Sequence, residues 1–189
     1  MKAVRGVNAA TYMEKLDMNT SIYFDRIDSP LGALLLASDG VALTGAWFDE
    51  QRYPPSIDAR WQRRRDLAVL RHATVMLAEY FVGRRKLFDI ALAPAGTPFQ
   101  RAVWDQILRV PYGATLAYCE LAVRAGRPEA VRAAGAATGR NPLSIFVPCH
   151  RIVGADGSLT GYAGGLDRKR ALLALEREDL VARATRRAA

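Results

Sequence analysis

Residues 118–138, YCELAVRAGRPEAVRAAGAAT, read as two short helices, Tyr118 to Ala125 and Pro128 to Thr138, joined by Gly126-Arg127. Two helices around so short a glycine-containing turn predict a helix-turn-helix. The second helix is nearly without bulk. Ala130, Ala133, Ala134, Gly135, Ala136 and Ala137 let one face come close to another surface while Arg132 projects from it. Small residues serve equally well to pack a helix tightly into a core, and the alanines alone favour that plainer use.

Working outward, Thr97-Pro98-Phe99-Gln100 is a helix start, with Thr97 as N-cap, Pro98 at the first helical position and Gln100 closing a capping box. Phe99, Val103 and Ile107 give that helix one buried face, and Pro111-Tyr112-Gly113 stops it. Ala93-Pro94-Ala95-Gly96 reads as a linker, so residues 94–96 divide an N-terminal domain, 21–93, from a C-terminal one, 97–178. In the first domain Ser21 to Ile27, Ala33 to Ser38 and Val41 to Trp47 predict a three-stranded antiparallel meander, with Asp39-Gly40 as a two-residue hairpin turn. Arg60 to Arg65 leads into a helix whose apolar face is Leu67, Leu70, Thr74, Leu77 and Phe81, capped by Gly83; Leu87 to Leu92 alternates like a further strand. Residues 1–20 read as a flexible arm, Leu166 to Glu178 as a helix and 179–189 as a frayed basic tail.

The 189 residues are half apolar and a quarter charged, which excludes a disordered or disulfide-stapled chain. The net charge is +8, and arginine supplies 23 of the 27 cations. Residues 97–189 hold 14 cations against 8 anions, so the basic surplus lies with the helix pair and suits a polyanionic partner. Two cysteines and two histidines without close ligand spacing argue against a structural metal. With no membrane-length apolar run and no secretory h-region, a cytoplasmic protein with reduced thiols is expected.

Ile145-Phe146-Val147-Pro148-Cys149-His150-Arg151 sets a thiol after a rigid proline and beside an imidazole and a guanidinium, at the end of a strand-like run. A nearby base or cation favours the thiolate, the species that attacks. Adjacent side chains do not readily face each other, so proton transfer from Cys149 to His150 would run through a water. Glu176, on the helix whose Leu172, Leu173 and Leu175 face inward, is the candidate to orient the imidazole. Cys119 reads as a structural thiol and His72 as a surface residue.

Asn141-Pro142, Val147 to Arg151, Gly161-Tyr162-Ala163-Gly164-Gly165 and Leu172 to Glu176 together resemble the signature of the O6-alkylguanine-DNA alkyltransferases, in matching order and spacing over about residues 97–177. The resemblance implies an α/β ribonuclease-H-like N-terminal domain of antiparallel strands plus helix. A mainly α C-terminal domain with a winged helix-turn-helix-like DNA-binding element would follow it. It implies that Glu176 holds His150, that His150 draws the proton of Cys149 through a water, and that the thiolate takes the alkyl group from O6 of guanine, and also from O4 of thymine. Tyr118 would protonate the leaving base. Asn141 would tie the second helix to the active-site turn, Val147 and Cys149 would offer backbone carbonyls to the base, and the loop at Tyr162 and Ala163 would close over it. Arg132 would fill the stack vacated by a flipped base. Ala133, Ala134, Gly135, Thr138, Arg140 and Arg151 would complete a surface for the minor groove of double-stranded DNA, read largely without regard to sequence. The thioether product makes the protein a single-use reagent without cofactor, expected as a monomer, with cooperative binding along DNA left open. Ala163 stands where some relatives carry serine, which bears on tolerance for bulky alkyl groups. Two other classes remain: a non-repairing alkylated-DNA binding or regulatory protein, and a cysteine hydrolase, which would turn over repeatedly.

Overall fold

A computed structural model describes the backbone of residues 21–188 and the side chains of residues 21–180. The expected arm at 1–20 lies outside the described residues. Strands β1 (Ile22–Ile27), β2 (Leu34–Ser38) and β3 (Leu43–Phe48) form the antiparallel meander. Its second turn is wider than two residues: Ser38 pairs with Leu43, and Asp39 Oδ1 accepts from the backbone N–H groups of Val41 and Ala42 at 2.9 and 2.8 Å. The carboxylate thus satisfies donors that a tight hairpin would have placed in the ladder.

A fourth strand, β4 (Trp61–Arg63), lies parallel to β1 and completes a sheet of order β3-β2-β1-β4. From its sequence this segment is expected only to lead into the helix. Only three residues pair, too few for an alternation to show. Trp61 packs edge-on against Phe24 at 5.8 Å, and the arginine cluster is ion-paired, Arg63 and Arg65 with Asp25 at 3.0 and 3.5 Å and Arg64 with Asp66 at 3.0 Å. Exposed pairs of this kind contribute at most about 1 kcal/mol each.

Helix α1 (Ala68–Phe81) buries Leu70, Ala73, Met76, Leu77 and Tyr80, a stripe rotated from the expected one, with Thr74 half-buried and donating to Leu70 O at 2.8 Å. Leu87 to Leu92 is not a strand: only Leu92 bridges to Leu43, while Phe88 turns into the core against the Phe146 ring at 4.7 Å. Packing of Phe88 fixes the middle of this segment, and two backbone bonds to β3 hold its end, Leu43 N–H donating to Ala91 O at 2.8 Å and Ala93 N–H to Leu43 O at 2.9 Å.

In the C-terminal half the capping box of α2 (Pro98–Leu108) forms as expected, Gln100 N–H donating to Thr97 Oγ1 at 3.2 Å and Thr97 N–H to Gln100 Oε1 at 2.8 Å. The helix pair is α3 (Tyr118–Arg124) and α4 (Val131–Gly139). Helix α4 begins three residues later than expected, because the chain turns at Arg127–Ala130, where Ala130 N–H donates to Arg127 O at 2.9 Å. Strands β5 (Leu116–Ala117) and β6 (Ile152–Val153) form a small parallel pair, and helix α5 runs Leu166–Ala188, so the expected frayed tail has helical backbone.

One apolar cluster joins the halves. Leu34, Leu36 and Phe48 of the sheet, Leu70, Leu77 and Tyr80 of α1, Trp104 and Ile107 of α2, Phe146 and Leu172 all belong to it. Burying each such side chain stabilises by roughly 1.5–3 kcal/mol, enough in sum to hold the halves as one unit. The β3 edge is also covered: Ala46 N–H donates to Pro142 O at 2.8 Å, and Ser144 N–H donates to Ala46 O at 2.9 Å. The segment leading to Cys149 is therefore hydrogen-bonded to the N-terminal sheet.

Candidate active site

Residues 141–151 do not continue as a strand. Ile145 sits at φ +72°, a left-handed conformation that costs a β-branched residue roughly 1–3 kcal/mol, and the fold holds it there by bonds from Val147 N–H to Leu143 O at 2.9 Å and Cys149 N–H to Val147 O at 2.7 Å. A single 3-10 turn, Cys149–Arg151, follows. Its three residues per turn send the thiol, imidazole and guanidinium in three directions, which a strand cannot do.

Cys149 is 4% exposed, and Asn141 Nδ2 lies 3.0 Å from its Sγ and 2.9 Å from Val147 O. Burial pushes the thiol up to about 11, only partly offset by the Asn141 hydrogen bond and the Lys169 charge. At neutral pH the resting group is a thiol that needs a base. His150, the next residue, has the chemistry of one: it is wholly buried, and its Nε2 donates to Glu176 Oε1 at 2.9 Å. Nδ1 is left as a buried acceptor without a hydrogen-bond partner among the described residues. Burial holds the imidazole below its ordinary 6.5 even against the attraction of Glu176, so it is neutral.

Glu176 is the hub. Burial alone would raise its pKa, but hydrogen bonds from His150 and Arg151 outweigh that and hold it at about 2. Oε1 accepts from Tyr80 OH at 2.8 Å, His150 Nε2 at 2.9 Å and Arg151 Nη2 at 2.8 Å; Oε2 accepts from Arg151 Nε at 3.0 Å and Gly113 N–H at 2.8 Å. Gly113 has φ +74°, the left-handed turn after α2 that aims its N–H at the carboxylate.

Tyr118 OH donates to Thr160 O at 3.1 Å, and burial together with the nearby Cys149 raises its pKa, so it stays a proton donor. The buried Lys169 Nζ donates to Ile152 O at 2.5 Å, Thr160 O at 2.9 Å and Gly161 O at 3.2 Å, pinning the loop that carries Tyr162 and Ala163 to α5. From the other side Arg52 N–H donates to Ala163 O at 2.8 Å. A buried thiol, a neutral imidazole and an ionised carboxylate have the chemistry that a nucleophile, a base and an orienting group require. Among the described residues no group of three or more potential metal-ligating His, Cys, Asp or Glu side chains gathers.

Residues 98–178 match the family described as 6-O-methylguanine DNA methyltransferase, DNA binding domain, and residues 22–94 match its ribonuclease-like domain. A Methanosarcina barkeri methylated-DNA–protein-cysteine methyltransferase is 45% identical over 159 residues, 84% of this chain and 99% of that protein. The chain belongs to the methylated-DNA–protein-cysteine methyltransferase family. A Mycobacterium tuberculosis relative of the same name is 47% identical over 156 residues, covering 82% of this chain and 93% of its own. The crystal structure of Mycobacterium tuberculosis O6-methylguanine methyltransferase matches with TM-score 0.77 at 46% identity, over 84% of this chain and 94% of that one. A structure of the Mycobacterium tuberculosis OGT in complex with DNA matches with TM-score 0.77 at 44% identity, over 83% and 94%. The activity is the one that names the family, DNA repair by alkyl transfer to a protein cysteine.

In this methyltransferase the structure gathers Cys149, His150, Glu176, Asn141 and the loop contacts of Tyr118 into one site, but it corrects the expected DNA surface. Arg151 does not face outward. It is 4% exposed, forks onto Glu176 and donates Nη1 to Val110 O at 2.7 Å, because the 3-10 turn aims it inward at a carboxylate 25 positions away. Ala134 and Thr138 are also buried, Thr138 Oγ1 donating to Ala134 O at 2.8 Å, while Trp104 Nε1 donates to Ala137 O at 2.9 Å. One face of α4 is small so that Trp104 fits against it. The exposed face carries Arg132, Ala133 and Arg140, with Gly135 half-buried. Arg140 stacks on the ring of Tyr53 at 3.8 Å. Sequence reasoning missed Tyr80, Gly113 and Lys169. Lys169 was within reach: it shares the i, i+3, i+7 face with Leu172 and Glu176.

No helix of the described residues is long and apolar enough to cross a membrane.

Proposed function

We propose that Cys149 is the alkyl acceptor and that the substrate is O6-alkylguanine, with O4-alkylthymine as a second substrate, flipped out of duplex DNA. The observation that carries this reading is the unpartnered, buried Nδ1 of His150 in a protein whose thiol, pushed up to about 11, needs a base. His150 takes the thiol proton at Nδ1 through a water, and Glu176 stabilises the imidazolium. The sulfur lone pair forms the S–C bond as the C–O6 bond breaks, its electrons passing to the base. Tyr118 then exchanges its bond to Thr160 O for proton donation to that base and is reprotonated from His150, so the thiol proton ends on the repaired base. Asn141 donates to the developing thiolate and fixes the Val147 carbonyl. The loop at Tyr162 and Ala163, held by Lys169, covers the base. The thioether has no route back, so each molecule reacts once.

The exposed face of α4 enters the minor groove, with Arg132 in the vacated stack. Contacts are to backbone and groove shape, so binding is largely independent of sequence and weakens with salt. The protein acts as a monomer. Arg132→Ala removes the wedge that offsets an unstacking cost of a few kcal/mol, and the expected result is a fall of about 10- to 100-fold in the ratio of rates on O6-methylguanine duplex and on free O6-benzylguanine. An unchanged ratio contradicts the flipping role.

The pH dependence of transfer tests the base. His150 must be neutral to accept a proton and burial lowers its pKa, so the rate should be level through neutral pH and fall only in acidic solution. Single-turnover rates that rise steeply between pH 7 and 9 would instead mark direct ionisation of the thiol without His150.

A further inference from the structure

Every group in the reaction described above comes from the C-terminal half, yet the carboxylate at its centre has a donor from the other half. Tyr80 lies on α1, 96 residues before Glu176, and its hydroxyl donates to Glu176 Oε1 at 2.8 Å. That oxygen is the one that accepts from His150 Nε2. We propose that Tyr80 is a positioning residue for the alkyl-transfer base: its hydroxyl fixes the Glu176 carboxylate against His150 and takes up part of the negative charge that would otherwise act on the imidazole. The proposal rests on the reading of His150 as the base, and it makes the N-terminal domain a participant in the chemistry.

Tyr80 is wholly buried and its ring is held by Phe81 at 5.5 Å, Phe88 at 5.6 Å and Tyr112 at 6.1 Å, so the hydroxyl has a fixed aim. Burial, reinforced by Glu176, drives its pKa far up, which keeps it a donor. A phenylalanine would fill the same aromatic space. The hydroxyl gains its place only through Glu176, since a buried hydroxyl with no partner is destabilising. Among the described residues Tyr80 is the one side chain outside the C-terminal half that bonds this carboxylate.

The charged and titratable groups around His150 set the sign of the effect. From α5 Glu176 favours the imidazolium and Lys169 opposes it; Arg151, on the same 3-10 turn, opposes it, and the buried Cys149 adjoins it as a thiol. The Tyr112 ring, packed edge-on against Tyr80, has Lys86 Nζ at 4.9 Å and the Arg151 guanidinium at 5.7 Å from its centroid. Removing the Tyr80 donor leaves more charge on Oε1, strengthens the one attraction in this set and raises the pH at which His150 protonates.

The chain has two histidines, and the exposed His72 serves as an internal reference. With the histidine ring nitrogens isotope-labelled, NMR titration of Tyr80→Phe should show the His150 midpoint raised by about half a pH unit relative to the wild type, with His72 unmoved. The acidic limb of the transfer rate should move the same way. A ring-fluorinated tyrosine placed at position 80 keeps the hydroxyl, makes it a stronger donor and should lower the midpoint; it decides the question if Tyr80→Phe does not fold. A His150 midpoint identical to wild type in the folded variants, whatever their loss of thermal stability, would reduce Tyr80 to a packing residue and overturn the proposal. Should the midpoints move while wild-type protein transfers no alkyl group, it is the reading of the reaction that fails and the positioning role that stands.

Discussion

Cys149→Ser folds as the wild type does and transfers no methyl group from O6-methylguanine duplex. The substitution changes one buried atom. Asn141, whose Nδ2 lies 3.0 Å from the sulfur, still has an acceptor there, so the loop from Asn141 to Arg151 keeps its bonds and the melting temperature moves little. What disappears is the nucleophile. A hydroxyl is a far weaker acid than a thiol and a poorer nucleophile toward an alkyl carbon, and in a site that already pushes the thiol up to about 11 a neutral imidazole leaves the hydroxyl un-ionised. Single-turnover transfer should fall below detection while binding to lesion-containing duplex persists. Cys119→Ser, which alters an exposed thiol, should leave transfer at the wild-type rate. Loss of transfer in Cys119→Ser with retention in Cys149→Ser would reverse the assignment.

The second large effect belongs to Glu176→Gln. The carboxylate is fully buried and carries the charge that balances Arg151, itself 4% exposed. Breaking a buried pair by removing one partner strands the other charge and costs about 3–5 kcal/mol, which for a protein of this size lowers the melting temperature on the order of 10 °C. Transfer should also be nearly lost, because the amide no longer stabilises the imidazolium. Glu176→Gln combined with Arg151→Met removes the stranded charge; it should regain a good part of the stability and none of the transfer, which separates the two roles of one residue. The pH dependence of stability follows from the same group. Its folded pKa, about 2, lies below the ordinary 4.5, so its contribution is complete above the unfolded value and is lost as the pH falls through 4.5 toward 2. Thermal melts across that window should show a steeper acid loss in the wild type than in Glu176→Gln.

The parts of this protein that local chemistry dictates were legible in its sequence. Thr97-Pro98-Gln100 start a helix because three neighbouring residues satisfy its first backbone donors, whatever surrounds them. Cys149 beside His150 and the helix-turn-helix are local in the same sense. What long-range contacts decide was not legible. β4 exists because Trp61–Arg63 meets β1 some 40 residues earlier, and Leu87 to Leu92 loses its strand because Phe88 finds Phe146. Arg151 looked like a surface cation beside basic neighbours, and only a carboxylate a full loop and helix away turns it inward. The small residues of α4 served both readings at once. Ala134 and Ala137 admit Trp104 to the core, while Arg132 and Ala133 on the opposite side stay exposed.

In the proposed reaction one particular thiol is consumed once per protein molecule. Incubate the protein with excess duplex carrying O6-methylguanine, measure its intact mass, and map the modified peptide. The whole population should gain one methyl group in place of a thiol proton, the modification should map to Cys149, and repaired duplex should equal protein in amount and then stop increasing. An unmodified protein, a methyl group on Cys119, or repaired duplex accumulating beyond the amount of protein would contradict it.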